Sequence, residues 1–134
     1  MEFQIVHNHK ILTEFYQNCK MEIDENWIST MNPIKSIAVF DDGKILCGAT
    51  ISKRFNKIIL DYIGVDESLR GQGIGKNLLN EILKNESEVY ISAKNQGFFK
   101  SQGFIETEDN DLIKECLSCP QYNKNCFPRV MKRG

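Results

Sequence analysis

A strand that leads through a glycine-rich turn into a helix is the feature that most constrains how this chain can fold. It spans Ile58 to Leu83, with the sequence IILDYIGVDESLRGQGIGKNLLNEIL. Gly71, Gly73 and Gly75 fall within five residues and directly precede an amphipathic helical pattern. The first turn of a helix has unpaired N–H groups and a positive dipole end, and glycine lets a ligand approach the backbone closely. The stretch therefore predicts an anion site, suited to a phosphate-bearing ligand.

The remaining pattern predicts a mixed sheet with helices around it. Two β-rich runs flank a D-D-G turn at residues 41–43, and a second turn at Phe55-Asn56 leads into the strand before the glycines, which gives an antiparallel meander. After the helix, a strand over residues 88–93 should pair parallel to that strand. The other expected elements are helices over 10–20, 23–31 and 95–102, strands over 3–6, 104–107 and 127–132, an acidic turn over 108–111 and an irregular segment over 116–126.

Size and composition limit the classes of function. The 134 residues fit one domain, 1–134, that can bury a core, and a formal charge of −1 gives no reason to expect nucleic acid as the main partner. No apolar run reaches membrane-spanning length, and the N-terminus lacks the apolar region of a signal peptide. We therefore expect a cytoplasmic protein, a monomer or homodimer, with no membrane partner. Five cysteines cannot all pair within one chain, and cytosolic thiols are normally reduced.

Two motifs carry a family resemblance. Residues 70–75 read RGQGIG and follow a strand ending in Ile63-Gly64-Val65, and residues 98–104 read FFKSQGF. In this order they resemble the GNAT family of acetyl-CoA-dependent N-acetyltransferases. The resemblance implies an α+β fold with a central, mostly antiparallel twisted sheet, one splayed parallel strand pair and flanking helices. A dinucleotide fingerprint fails because the glycines read G-x-G-x-G, and no Gly-Lys-Ser/Thr follows for a Walker motif.

The resemblance also assigns the cofactor residues. Acetyl-CoA would be the acyl donor, and Ile63 to Val65 would bond its pantetheine amides, with one N–H polarising the thioester carbonyl. Gly64 suits a bulge or a close approach, although simple packing would also explain a glycine there. Phe99 should contact the cofactor. The expected cofactor-binding residues are Ile63, Gly64, Val65, Arg70, Gly71, Gln72, Gly73, Ile74, Gly75, Lys76 and Phe99, with the pyrophosphate on the N–H groups from Gly71 to Lys76.

Catalysis is the less defined part. Direct attack by a primary amine needs a group that takes the amine proton, and Asp61, an ionisable residue in an apolar strand, is the expected base. A solvent-facing or edge aspartate is the alternative reading, and Tyr62 and Glu67 are weaker candidates for the base. At the position where the family has a tyrosine acid, this chain has Phe99, which has no proton to give. Tyr122 could replace it, with Tyr16 or Tyr90 as weaker candidates; otherwise the thiolate leaves unaided, or the domain binds CoA without efficient transfer.

A cysteine segment lies between the last two predicted strands, on the acceptor side of the family fold. Cys116, Cys119 and Cys126 permit a zinc site, a disulfide or free thiols that shape an acceptor pocket. Zinc is possible but not favoured, since a fourth ligand cannot be placed, and we predict no metal ligand. The remaining expectations from side-chain type are a buried Cys19 and Cys47 and a solvated rim of Lys53, Arg54 and Lys57.

Two functions follow. The first is an N-acetyltransferase that moves acetyl from acetyl-CoA to a small-molecule amine or a peptide amine. The second is an acyl-CoA-binding or redox- or metal-responsive module that kept the fold and has little transferase activity.

Overall fold

A mixed sheet forms the centre of the computed structural model, which describes residues 2–117 and 129–134. In these two ranges seven strands join in the order β1-β2-β3-β4-β5-β7-β6. Neighbours are antiparallel except for β4 and β5, which are parallel, so the predicted fold class is confirmed. The strands are Gln4–Ile5 (β1), Pro33–Asp41 (β2), Lys44–Arg54 (β3), Lys57–Val65 (β4), Val89–Ala93 (β5), Ile105–Glu106 (β6) and Arg129–Arg133 (β7).

Helices cover both faces of this sheet. On one face, Leu78, Leu79 and Ile82 of the long crossover helix pack against β3 and β4. On the other face, Tyr16 and Trp27 of the N-terminal helices form a second core with residues of β2 and β4. The helices are His9–Asn18 (α1), Trp27–Met31 (α2), Ile74–Leu83 (α3), Gln96–Ser101 (α4) and Asn110–Leu117 (α5), with a 3-10 turn at Glu67–Leu69. None of the described helices has the length and apolar character of a transmembrane segment.

Both predicted hairpin turns are confirmed. Asp42 and Gly43 have φ values of 51° and 78°, and Phe55 and Asn56 have φ values of 54° and 59°. Positive φ at both central residues is what a two-residue type I′ turn requires, and its twist matches that of the flanking strands. These turns set the antiparallel register of β2, β3 and β4.

The parallel strands β4 and β5 separate along their length. Ile59 opposite Tyr90 is the one register pair that joins them in the described residues. Two residues further on, Asp61 is the extra residue of a bulge, since Thr50 lies opposite Tyr62 while Ile51 lies opposite Leu60. A bulge bends its strand. The end of β4 therefore has β3 on one side and a gap on the other.

Two predictions about local structure were wrong. Residues 108–111 do not form an isolated turn, because α5 begins at Asn110 and the Asp109 carboxylate accepts a hydrogen bond from the N–H of Leu112 (3.1 Å) as a helix cap does. The second helix begins at Trp27 rather than at residue 23. Most of the segment predicted as irregular, from residue 118 onward, lies outside the described residues.

Candidate functional site

A cavity of about 660 Å³ opens where β4 separates from β5. Four parts of the chain line it: the end of β4, the glycine turn with the start of α3, the residues after α1, and α4 with its flanks. Ten of the eleven predicted cofactor residues face it: Ile63, Gly64, Val65, Arg70, Gly71, Gly73, Ile74, Gly75, Lys76 and Phe99. The eleventh, Gln72, is exposed in the turn and does not line the cavity.

The glycine turn presents backbone donors to this cavity. Gly73 caps α3 without a side-chain hydrogen bond, and the first helical hydrogen bond runs from the N–H of Asn77 to the carbonyl of Gly73 (3.3 Å). Within the described part of the chain, no N–H from Gly71 to Lys76 donates a hydrogen bond. Such a row of free N–H groups at a helix start is a site for an anion.

Backbone conformation explains the glycines of the turn. Gly71 and Gly73 have φ values of 84° and 76°, in the left-handed region that favours glycine. A Cβ at either position would meet nothing within 4 Å, so the space in front of the turn is open. Gly75 differs, because its Cβ would lie 3.5 Å from the Phe98 ring, which is an ordinary contact. The turn is thus built for access to its backbone.

Asp61, the predicted base, forms an ion pair instead of lining the cavity. Its two carboxylate oxygens accept hydrogen bonds from Nη1 and Nη2 of Arg54, at 2.7 and 2.9 Å. The side chains of Asp61 and Arg54 are only 9% and 10% exposed. Asp61 is absent from the cavity lining. Its role as a base stays a prediction, and this geometry gives it a structural role.

Arg54 was predicted to be a solvated rim residue, and that prediction was wrong. Besides Asp61, its guanidinium donates to both carboxylate oxygens of Glu115 on α5 (2.8 and 3.1 Å) and to the carbonyl of Met31 (2.7 Å). Burial opposes the charge of Arg54, but the hydrogen bonds to the two carboxylates outweigh it and raise the pKa of the guanidinium. Arg54 therefore links α2 and α5 to the sheet through its hydrogen bonds.

The candidate acids lie away from the cavity or beyond the described residues. Tyr16 is fully buried, its hydroxyl lies 2.7 Å from Thr50 Oγ1, and burial raises the pKa of its phenol. The Tyr90 ring lies beside the ammonium groups of Lys57 and Lys132. Neither tyrosine lines the cavity. Tyr122 falls outside the described residues, so its role stays a prediction.

Two side chains of the cavity wall had no signal in the sequence. Cys19 was predicted to be buried, but it is half-exposed at the end of α1 and lines the cavity with Met21. Burial raises the pKa of the Cys19 thiol, although Arg70 partly opposes the rise. Cys47 is fully buried, as predicted. Contact between the end of α1 and β4 is a tertiary feature that sequence spacing does not encode.

The cysteine segment contributes little that can be described. Among the side chains that the structure describes, which do not include that of Cys116, no three His, Cys, Asp or Glu side chains come together in a way that could hold a metal ion. Cys119 and Cys126 lie outside the described ranges 2–117 and 129–134. The zinc, disulfide and free-thiol alternatives for this segment stay open.

Comparison with known proteins identifies the family. A family model for the acetyltransferase (GNAT) domain matches residues 33–106, more than half of the chain. The chain belongs to the GNAT acetyltransferase family, which confirms the resemblance seen in its two motifs. The match includes the three-strand meander, the glycine turn, α3 and α4. No curated protein sequence matches the chain.

Solved structures share the fold. An IAA acetyltransferase from Bacillus cereus ATCC 14579 aligns with a TM-score of 0.71 and 16% identity, over 98% of this chain and 97% of that one. Escherichia coli ElaA aligns with a TM-score of 0.67 and 20% identity, over 99% of both chains. N-acetylglutamate synthase from Neisseria gonorrhoeae, complexed with coenzyme A and N-acetyl-glutamate, gives a TM-score of 0.71 and 14% identity. This chain is covered over 99% of its length there but spans only 35% of the synthase.

Proposed function

We propose that residues 1–134 form one acyltransferase domain that moves an acetyl group from acetyl-CoA to a primary amine by direct attack. One observation carries the proposal: the free N–H groups from Gly71 to Lys76 open onto a cavity that continues along the separated end of β4. An elongated ligand with phosphates at one end suits a site with this polarity. Family membership supports acyl transfer as the reaction class.

The donor would be held along its length by backbone groups. The N–H groups of Gly71 to Lys76 would bind the pyrophosphate, while the basic side chains of Arg70 and Lys76 add positive charge at the same end. Beyond Ile59, none of the strands that the structure describes pairs with the edge of β4 that faces away from β3. The backbone of Ile63 to Val65 on that edge would bond the pantetheine amides and polarise the acyl carbonyl.

Acetyl-CoA would supply an activated acetyl group as a thioester. The amine nitrogen then forms a bond to the acyl carbon while the bond from that carbon to sulfur breaks. The amine loses one proton and the departing thiolate gains one. Asp61 is the predicted base, directly or through water, and Tyr122 the predicted acid; the thiolate can also take its proton from water at some cost in rate.

A second function, CoA binding with little transfer, has one observation in its favour. In the described part of the cavity wall there is no carboxylate, histidine or tyrosine side chain, and Phe99 lies where the resemblance predicts a hydroxyl. We favour the enzyme, because ten of the eleven predicted cofactor residues line the cavity. The small-molecule or peptide amine acceptor, the cytoplasmic location and the monomeric or dimeric state stay predictions.

Thiol release from acetyl-CoA, measured with a panel of small amines and peptide amines beside calorimetric binding of acetyl-CoA, tests the proposal. Amine-dependent thiol release at a saturable rate is the expected result. Binding without amine-dependent release across the panel would favour the second function. Absence of acetyl-CoA binding would contradict both.

A further inference from the structure

The end of α1 forms a wall of the cavity at Gly64. A Cβ placed on Gly64 would lie 3.0 Å from Cys19 Sγ, 3.0 Å from Met21 Cε and 3.4 Å from Phe15 Cε2. Contacts at 3.0 Å are tighter than ordinary packing, so a Cβ at Gly64 would require its neighbours to move by a few tenths of an ångström. Three side chains from the α1 side therefore pack closely against β4 at Gly64. Two of the three, Cys19 and Met21, also line the cavity.

A defined backbone turn fixes this wall in place. Lys20 adopts the left-handed conformation (φ 63°) directly after the C-cap residue of α1. The N–H of Lys20 donates to the carbonyl of Gln17 (2.9 Å), and the N–H of Met21 donates to the carbonyl of Tyr16 (3.1 Å). This pair of hydrogen bonds is the Schellman motif, which ends a helix and sets the direction of the next residue. Met21 is thus aimed at β4 by the helix end.

The side chains of this wall favour the acyl chain over the charged parts of the ligand. The turn side of the cavity has free N–H groups with Arg70 and Lys76, and it suits phosphate. At Gly64, by contrast, the side chains of Phe15, Cys19 and Met21 are apolar and uncharged. An ammonium group would lose hydration against these side chains, whereas an acyl chain would bury apolar surface.

We infer that Met21, supported by Cys19, limits the length of the acyl group that the donor site accepts, and that it restricts the site to short chains such as acetyl. This inference rests on the proposed function, because it places an acyl-CoA in the cavity with its phosphates at the glycine turn. Met21 would be a specificity-determining residue that contacts the acyl group. Its thioether tip is the movable part of the wall.

Binding of an acyl-chain series tests the inference without knowledge of the acceptor. Calorimetry is run with CoA, acetyl-CoA, butyryl-CoA and hexanoyl-CoA on the wild type and on Met21→Ala. We expect the wild type to bind butyryl-CoA roughly tenfold more weakly than acetyl-CoA, because its two extra methylenes would have to displace the Met21 side chain. Met21→Ala removes three heavy atoms and should improve butyryl-CoA binding by roughly tenfold, with CoA binding unchanged.

Two further variants control the result. Met31→Ala removes the same atoms from α2, where the side chain packs in the core beside α1 and does not line the cavity, so its acyl-chain series should match the wild type. Gly64→Ala adds a methyl group against Met21 and should weaken acetyl-CoA more than CoA.

Equal affinity of the wild type for all chain lengths, or no gain for butyryl-CoA in Met21→Ala while CoA still binds, would overturn the inference alone. Failure of the wild type to bind even CoA would contradict the proposed function, and the inference with it.

Discussion

Polar groups at the C-terminal end of β4 and in its middle have opposite surroundings. At its C-terminal end, the strand leads to the glycine turn, where a row of N–H groups has no hydrogen-bond partner among the residues that the structure describes. Near its middle, Asp61 has both carboxylate oxygens paired with Arg54 in a nearly buried cluster. Unpaired donors beside a cavity indicate a ligand, whereas a fully paired buried charge indicates structure. The comparison separates residues that bind from residues that hold the fold, although both are polar features of one strand.

Loss of the Arg54 guanidinium should have the largest effect. Arg54→Met leaves Asp61 buried without its partner, which costs about 3–5 kcal/mol of unfolding free energy for a buried pair. Urea unfolding measures it. The control is Lys84→Met, which breaks the exposed pair with Glu81 and should cost about 1 kcal/mol or less. Equal and small losses of unfolding free energy in both variants would contradict a structural role of the Arg54 cluster.

A negative charge in the glycine turn should abolish donor binding. Gly73→Asp places a carboxylate in the open space before α3, where it would repel pyrophosphate, and we expect CoA affinity to fall roughly a hundredfold or more. Gly43→Asp is the matched control, because Gly43 has a similar φ (78°) and equally open surroundings in a hairpin turn away from the cavity. Calorimetry with CoA should find the control close to wild type. Similar losses in both variants would point to backbone strain rather than to an anion site.

Asp61→Asn distinguishes a base from a structural anion. As an ion-pair partner, Asp61 should behave like Glu115, so Asp61→Asn and Glu115→Gln should each lower the unfolding free energy by about 1–3 kcal/mol and leave kcat within a fewfold of wild type. The ion pair by itself predicts this result, because Arg54 donates to both Asp61 oxygens. A fall in kcat of about a hundredfold or more in Asp61→Asn alone, with a changed pH profile, would instead assign the base to Asp61.

A hydroxyl at position 99 should give the smallest effect. Phe99 is 5% exposed, packs against Phe98 and Phe104, and lines the cavity. If the thiolate now leaves without help from this position, Phe99→Tyr should raise kcat by about tenfold. Phe98→Tyr, whose ring lies near Gly75, should not. An unchanged kcat in Phe99→Tyr would show that protonation of sulfur does not limit the reaction.

The glycine turn could be predicted from the sequence because its signals are local. Gly71 and Gly73 need positive φ, and their order with the preceding strand and following helix fixes a turn whose N–H groups face one place. The two hairpin turns and the Asn8 cap of α1, whose side chain accepts from the N–H groups of Lys10 and Ile11, are local in the same sense. Each depends on residues within a few positions of one another.

The features that the sequence did not predict depend on contacts between residues far apart in the chain. Arg54 and Glu115 are 61 positions apart, so the charges around the second turn gave no sign of a buried cluster. The bulge at Asp61 interrupts an alternation that otherwise looks regular. Helix α5, by contrast, does have local signals in the sequence. They are an N-terminal cap at Asp109, an acidic first turn at Asp111 and a basic last turn at Lys114. The prediction of a turn over residues 108–111 overlooked them.

Amide shifts in a labelled sample titrated with CoA test the central claim most directly. The backbone N–H signals of Gly71, Gly73 and Gly75 should shift together and saturate with one dissociation constant. Gly43, which lies in a hairpin turn that does not line the cavity, should hardly move. Saturable CoA binding with unchanged signals from the three turn glycines would contradict the assignment of the glycine turn as the pyrophosphate site.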